Sequence, residues 1–109
     1  MSENVYGTAQ FKAKPGKEAE LFAVLASLVE PSRKEEGCLQ YTLTKRLLTP
    51  YAEGVSENIV FHEIWANMAC FEAHCEQPGI KAFFEKYCLA EDGLAESWNV
   101  CVYTDEIDA

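Results

Sequence analysis

The sequence predicts an α+β fold in which a four-stranded antiparallel sheet carries helices on one face, in the order β-α-β-β-α-β. Three observations predict it. The 109 residues are enough for a single domain, 1–109, with a core over 5–104 and an acidic tail at 105–109. Four stretches have the patterning of strands, and the segments between them have helical periodicity. Hydrophobic residues make up 49% and charged residues 25% of the chain, a composition that excludes disorder and coiled coil.

The first half of the chain contains one strand and one helical segment. Residues 5–13 alternate between apolar and polar side chains, which predicts a half-buried strand. Residues 17–35 carry apolar side chains at helical spacing, with charged side chains opposite. Pro31 falls inside this pattern and is expected to kink or end the helix. Gly37 is expected to close the segment as a helix C-cap does.

Two strands joined by a long loop follow. Residues 38–48 alternate again and predict the second strand. Residues 49–57 contain proline and glycine and predict a long hairpin loop. Residues 58–66 have large apolar groups on both faces, so a third strand is expected there with both faces covered. One of those faces carries Phe61, Glu63 and Trp65.

The last part of the chain predicts a broken helix and a final strand. Asn67 is a candidate N-cap for a helix over 68–76. A second helical piece is expected at 80–90, and a strand at 96–104. The order is that of the ferredoxin-like split βαβ fold, whose helices cover one sheet face only. Because strand 58–66 is apolar on both sides, we expect a homodimer joined through the sheets.

Charge and cysteine content restrict the partners and the compartment. Nine Lys and Arg against 18 Asp and Glu give a net charge of −9, which disfavours nucleic acid and anionic membrane surfaces. The sequence has no apolar run near the ~20 residues that a membrane span needs, and its first residues do not resemble a secretory signal. Five cysteines without a CxxC motif predict reduced thiols and a cytoplasmic location.

Several short motifs, in a fixed order, give the chain a resemblance to a known family. They are Lys14-Pro15-Gly16-Lys17-Glu18, Glu30-Pro31-Ser32-Arg33, Glu36-Gly37-Cys38-Leu39-Gln40-Tyr41, Glu63-Ile64-Trp65, Phe71-Glu72-Ala73-His74, and Pro78 with Lys81-Ala82-Phe83. With them the chain resembles antibiotic biosynthesis monooxygenase domains, including the quinol monooxygenase-like members, over roughly residues 5–103. The resemblance implies a dimeric α+β barrel with a small pocket between sheet and helices in each subunit. It also implies oxygenation of quinol-like or polyketide substrates, often without metal or flavin.

Some positions depart from what the family resemblance implies. The polyketide oxygenases place Asn, Trp and Tyr around the substrate, and here only Trp65 matches, with Phe61 and Phe71 at the other two positions. The haem-degrading branch needs a ligating histidine on the second helical piece, and 80–90 contains none. Many relatives have a histidine where this chain has Gly79. These departures leave the fold prediction intact and leave the reaction open.

His74 and Glu63 are the candidate catalytic residues. His74 lies three residues after Phe71, so the two are expected on the inward face of one helix, and a histidine can move a proton near neutral pH. Glu63 and Trp65 share one strand face. We therefore expect Glu63 to meet His74, directly or through one water, at the floor of a pocket walled by Trp65. The alternatives are a structural Glu–His pair and a Trp65 that only packs in the core.

Three functions follow from these residues. The first is a cofactor-independent monooxygenase on a small aromatic, with His74 as base polarised by Glu63 and with substrate-binding residues Trp65, Phe61, Phe71 and Tyr41. The second is an isomerase that transfers a proton on a small hydroxy-ketone. The third is a non-catalytic dimeric module that binds a small molecule. Cys70, His74 and a third residue, His62 or Cys75, lack the four well-spaced ligands of a zinc site, so no metal is predicted.

Overall fold

The computed structural model describes residues 3–108, so Met1, Ser2 and Ala109 of the predicted domain lie outside the described residues. The described chain forms one antiparallel sheet in the order β2-β3-β1-β4. The fold is α+β and ferredoxin-like, as predicted. The strands are β1 (Val5–Ala13), β2 (Cys38–Lys45), β3 (Ile59–Trp65) and β4 (Ala95–Thr104).

Helices cover one face of this sheet, because the buried side chains of the strands and of the helices form one core. Phe11 and Phe61 from the sheet pack with Leu21, Leu25 and Phe83 from the helices. Alternation along each strand directs these apolar groups inward. The helical segments are α1 (Glu18–Ala26), α2 (Val29–Arg33), α3 (Met68–Cys75), α4 (Pro78–Phe83) and a π-helical turn, Phe84–Leu89.

The helix predicted over 17–35 is divided into α1 and α2. The break falls at Ser27 and Leu28, and Pro31 lies in the first turns of α2. Proline has no N–H to continue the hydrogen-bond ladder, but it is tolerated near a helix start. The predicted helix is therefore interrupted, but one turn before Pro31, which α2 contains.

The hairpin loop between β2 and β3 spans 46–58 and is longer than predicted, because β2 ends at Lys45. Arg46 fastens the loop, since its guanidinium donates to the carbonyl oxygens of Ser56 (3.1 Å) and Gly54. Gln10 Oε1 accepts from the backbone N–H of Glu57 at 3.2 Å. The loop is thus tied to the end of β1, while its apolar residues Leu47, Leu48, Tyr51 and Val55 are exposed.

The second helical region begins as the sequence predicts and ends differently. Asn67 Oδ1 accepts from Cys70 N at 2.9 Å, which confirms the predicted N-cap of α3. The next piece starts at Pro78 and becomes π-helical at Phe84, and Ala90 N donates to Glu85 O at 3.1 Å. Residues 3–108 contain no helix of the length and apolarity that a membrane crossing requires.

Candidate active site

A cavity of about 490 Å³ lies between the inner face of the sheet and the helices. Volumes of this order are typical of small-molecule sites. Most of its lining is aliphatic or aromatic, and the polar groups among the lining residues are few. The lining residues are Ala9, Phe11, Leu25, Leu28, Tyr41, Phe61, Glu63, Phe71, His74, Cys75, Ile80, Lys81, Phe83, Phe84, Glu85, Leu89 and Val100.

His74 is the buried histidine of this cavity. It lies near the end of α3 with only 4% of its surface exposed. Its Nδ1 is 3.1 Å from both carboxylate oxygens of Glu35. Because a carboxylate only accepts hydrogen bonds, Nδ1 carries the proton and donates it to Glu35. Nε2 is then the ring nitrogen left for a bound molecule, and in the neutral imidazole it is an acceptor.

The carboxylate that pairs with His74 is Glu35, and the predicted direct pairing with Glu63 is wrong. Glu35 lies in the turn between α2 and β2, where its N–H donates to Ser32 O (3.1 Å) and its carbonyl accepts from Cys38 N (3.2 Å). Gly37 closes this turn at φ +76°, and a Cβ there would overlap Cys70 Sγ on α3. The turn therefore packs directly against α3, which brings Glu35 to the histidine.

Glu63 and Trp65 form a second buried unit beside the histidine. Trp65 Nε1 donates to Glu63 Oε1 at 2.9 Å, and the indole stacks on the His74 ring with centroids 4.6 Å apart. Burial raises the pKa of Glu63. The Trp65 hydrogen bond and the nearby His74 lower that pKa, while the negative charge of Glu35 raises it further.

Trp65 does not line the cavity, so its predicted role as a wall is wrong. The side chain is fully buried beneath the histidine and the glutamate. The strand pattern correctly placed Trp65 on the inner face of the sheet. The pattern does not determine how deeply a large ring on that face is buried. The indole instead supports the His74 ring from one side and Glu63 through its N–H.

Tyr41, Phe61 and Phe71, all proposed from the sequence as substrate contacts, lie on the cavity wall. The Tyr41 ring packs on Phe61 with centroids 4.6 Å apart and meets the edge of His74 at 5.3 Å. Burial raises the pKa of Tyr41, and the negative charge of Glu63 raises it further. Tyr41 therefore contributes a neutral phenol ring.

One of the residues considered for a metal, His62, lies apart from the others, which are on α3. His62 is exposed on the opposite face of the sheet, with Nε2 3.1 Å from Thr44 Oγ1. It therefore cannot join Cys70 and His74 on α3. Within residues 3–108, no group of three or more His, Cys, Asp or Glu side chains is placed to hold a metal ion.

Comparison with known proteins identifies the family. The model of the antibiotic biosynthesis monooxygenase family matches residues 5–86, which is most of the chain. The chain belongs to this family. This chain is also similar in structure to solved proteins. One is protein SO0527 from Shewanella oneidensis, with a TM-score of 0.75 and 29% sequence identity; the match covers 94% of this chain and 91% of that one. PA3566 from Pseudomonas aeruginosa is comparably similar (TM-score 0.74, 27% identity, 94% of both chains).

Two relatives are similar in sequence. The monooxygenase-family chain is 32% identical to sll1783 of Synechocystis, a protein named as uncharacterized, over 93 residues and 84% of this chain. It spans only 56% of the length of that protein. It is 33% identical over 78 residues to YcnE of Bacillus subtilis, which is named provisionally as a monooxygenase; the match covers 72% of this chain and 76% of YcnE.

Sequence reasoning missed two features of this family member's cavity. Glu35 was not proposed, because a turn residue has no periodicity that would direct it to a face. The π-helical turn, which supplies Phe84, Glu85 and Leu89 to the lining, has no sequence signature of its own. A π-helical turn inside a helical region is a common feature of functional sites, but it becomes visible only in the structure.

Proposed function

We propose that this family member is a monooxygenase that acts on a small electron-rich aromatic, of the quinol class, using the chain's own residues and no resident cofactor. The observation that carries the proposal is the position of His74. Its ring lines a largely apolar cavity of about 490 Å³ while Glu35 holds Nδ1. A neutral imidazole so oriented presents Nε2 as a general base for a phenolic proton.

The chemistry then begins with deprotonation. His74 Nε2 takes the proton of one quinol hydroxyl, and the Glu35 carboxylate stabilises the imidazolium that forms. The electron-rich quinolate transfers an electron to dioxygen, and the resulting radical pair combines to form a carbon–oxygen bond on the ring. Cleavage of the O–O bond releases water, so that quinol and dioxygen give hydroxyquinone and water. Each step uses electrons that the quinol itself supplies.

The aromatic residues of the cavity wall support these reaction steps in two ways. Phe61, Phe71 and Tyr41 provide ring faces on which a planar aromatic packs. Their bulk also keeps water from the anion, which strengthens the electrostatic influence of Glu35 on the imidazolium.

Oxygen consumption tests the proposal. The protein is mixed with 1,4-naphthalenediol and substituted benzoquinols prepared without air, and oxygen uptake is compared with heat-treated protein. We expect uptake well above autoxidation and one ¹⁸O atom in the hydroxyquinone from ¹⁸O₂. The dimethyl ether of the same quinol, which has no acidic hydroxyl, should give no uptake. Uptake equal to that of heat-treated protein for every quinol would reject the oxygenase and favour a binding module.

An isomerase remains the second candidate because His74 and Glu63 face one cavity as a base and a carboxyl of raised pKa. Such a pair can move a proton between adjacent carbons of a hydroxy-ketone. The cation on the cavity wall, Lys81, is 2.5 Å from Glu76 Oε2, which makes it a poor phosphate site. Deuterium exchange into an unphosphorylated hydroxy-ketone without oxygen would separate this activity from oxygenation.

A further inference from the structure

Glu63 has no orienting role toward His74, because Glu35 fills it. Both Glu35 oxygens lie 3.1 Å from Nδ1, so the ring has its carboxylate partner already. Glu63 nevertheless lies in the middle of β3 with 6% of its surface exposed. A carboxyl at such a site is costly unless its polar atoms are used. The cavity is therefore lined by a buried acid, Glu63, whose function the base mechanism does not explain.

The geometry of Glu63 leaves one oxygen for a bound molecule. Oε1 accepts from Trp65 Nε1 at 2.9 Å, and no hydrogen bond to the described chain engages Oε2. Every buried side-chain oxygen and nitrogen in residues 3–108 has a partner, so Oε2 is open and not sealed in the core. Since the Glu63 side chain shares the inner face with Phe61 and Trp65 and lines the cavity, Oε2 is open to the cavity.

The other polar residues of the lining differ from His74 and Glu63. Cys75, Lys81 and Glu85 are exposed. Tyr41 is buried and keeps its proton, because burial raises its pKa. His74 Nε2 and Glu63 Oε2 are thus the strong acceptors that buried lining residues offer to a ligand. A few well-placed polar groups in an apolar pocket are what fix a ligand's orientation.

We propose that Glu63 is a specificity-determining residue that binds the second oxygen of the substrate, so that the cavity selects dihydroxy aromatics over monohydroxy ones. This inference rests on the proposed function, because it assigns the substrate class of that same site. His74 receives the hydroxyl that loses its proton, and Glu63 Oε2 accepts a hydrogen bond from the other hydroxyl. The indole N–H of Trp65 fixes the carboxyl in the orientation that this contact requires.

The experiment measures binding without oxygen, so that turnover plays no part. Calorimetry compares 1,4-naphthalenediol with its monomethyl ether, 4-methoxy-1-naphthol, which keeps one hydroxyl and cannot donate from the second oxygen. We expect the native protein to bind the diol about tenfold more tightly, the effect of one buried hydrogen bond. The readout is the ratio of the two affinities, which a uniform loss of binding does not change.

Two variants test the assignment to Glu63. Glu63→Gln keeps an oxygen for Trp65 Nε1 but directs a donor-only NH₂ to the cavity, so the affinity ratio should fall to about 2 or less. Glu63→Leu removes both oxygens and should give the same ratio. Glu72→Gln, on the exposed side of α3, is the matched control and should keep the native ratio. A native ratio near 1, or a Glu63→Gln ratio equal to the native one, would overturn the inference.

This design separates the inference from the oxygenase proposal. A native protein that prefers the diol but consumes no oxygen with any quinol retains the role of Glu63 and loses the oxygenase. A native protein that oxidises quinols but binds diol and monomethyl ether equally retains the oxygenase and loses the role of Glu63.

Discussion

His74 is held on three sides, by the Glu35 carboxylate at Nδ1, by the Trp65 indole on its face and by the Tyr41 ring at its edge. These contacts fix both the tautomer and the orientation of the imidazole. The Glu35 side chain, which is only 15% exposed, defines which nitrogen of the imidazole carries the proton. Packing in the core would not by itself require such a partner. The arrangement therefore orients the imidazole and leaves Nε2 as the ring nitrogen without a protein partner within residues 3–108.

Replacing this base should remove the activity. His74→Ala is expected to lower the rate of quinol-dependent oxygen consumption by about 10²-fold or more, the usual contribution of general-base catalysis. The measurement is kcat from oxygen-electrode traces at saturating quinol, with Glu72→Gln as a control that should retain the native rate. An unchanged rate in His74→Ala would make the histidine a packing residue.

Glu35 is expected to act through His74 as a positioning residue. Glu35→Gln keeps an oxygen that accepts from Nδ1 but removes the charge that stabilises the imidazolium. We expect kcat to fall by about 10-fold to 100-fold, the range for a charged hydrogen bond, with KM nearly constant. A change in KM alone would mean that Glu35 contacts the substrate instead.

Glu63 should make the stability of the fold depend on pH. Its pKa is raised by burial in the folded chain, so the folded state holds the proton at pH values where the unfolded chain has lost it. The native protein therefore loses stability as pH rises above about 4.5, relative to a variant that cannot ionise. Urea titrations from pH 4 to 8 should show that the unfolding free energy of Glu63→Gln, relative to that of the native protein, increases with pH. A difference that does not change with pH would contradict the raised pKa.

Periodicity in the sequence is enough to bring Glu63, His74 and the aromatic lining residues to one cavity, because strands and helices each have a repeat that assigns a face. The same reasoning misses Glu35, since a turn residue follows no repeat. It also placed Trp65 at the cavity surface, although the indole lies beneath it. The local sequence determines which face of a strand or helix a side chain occupies. How deeply that side chain is buried, and how a turn folds, depend on the residues that pack against it from elsewhere in the chain.

At the scale of elements, the turn between α2 and β2 sets the position of Glu35. Gly37 adopts φ +76°, and an added Cβ would overlap Cys70 on α3. Gly16 has nearly the same backbone, φ +77°, with no atom within 4 Å of an added Cβ. Substitution at Gly16 therefore measures the cost of the backbone conformation alone. Substitution at Gly37 measures that cost together with the close packing of the turn against α3.

The matched pair gives a prediction. Gly16→Ala should cost about 1 kcal/mol of unfolding free energy, from the left-handed backbone alone. Gly37→Ala should cost about 3 kcal/mol, because the overlap with Cys70 adds to the same backbone penalty. Chemical denaturation measures both values. Equal losses in the two variants would show that the turn does not need to pack closely against α3.

The element boundaries illustrate what local sequence encodes. β1 and the cap at Asn67 are where the sequence predicts them, because alternation and capping chemistry are local. The π-helical turn Phe84–Leu89 is not predicted, since its wider hydrogen-bond ring depends on the core against which it packs. β2 ends at Lys45, before the predicted residue 48, and the next residue, Arg46, binds the loop through its side chain.

At the scale of the whole molecule, the order of strands and helices was sufficient to predict the fold, and the family match agrees with it. The order of elements does not determine how copies of the chain assemble.

Assembly concerns the sheet face that carries no helices. On this face, the middle row of paired residues across the four strands consists of Thr42, His62, Thr8 and Cys101. The outward residues of this row and of the rows beside it include no Asp, Glu, Lys or Arg: Tyr6, Thr8, Gln10, Gln40, Thr42, Thr44, Val60, His62, Ile64, Asn99, Cys101 and Tyr103.

Three neighbouring rows without a charged side chain are unusual in a chain whose residues are 25% charged. Two copies with a net charge of −9 each repel one another, so a stable contact between them must use surface that is free of charge. Because identical sheets meet most simply about a two-fold axis, the middle row of one copy would face that of the other. We therefore expect a homodimer joined through these faces, with more than about 2,000 Å² buried in total.

The dimer is tested by a charge placed in the middle row. Sedimentation equilibrium at micromolar concentration should give twice the chain mass of 12.2 kDa. Thr8→Glu should reduce it to 12.2 kDa, because two carboxylates would be buried against each other without partners. Ala73→Glu, on the exposed side of α3, adds the same charge and should leave the dimer intact. If circular dichroism shows that Thr8→Glu is unfolded, Thr42→Glu provides the same test two strands away in the same row. A native protein that sediments at 12.2 kDa would mean that the uncharged face has another partner.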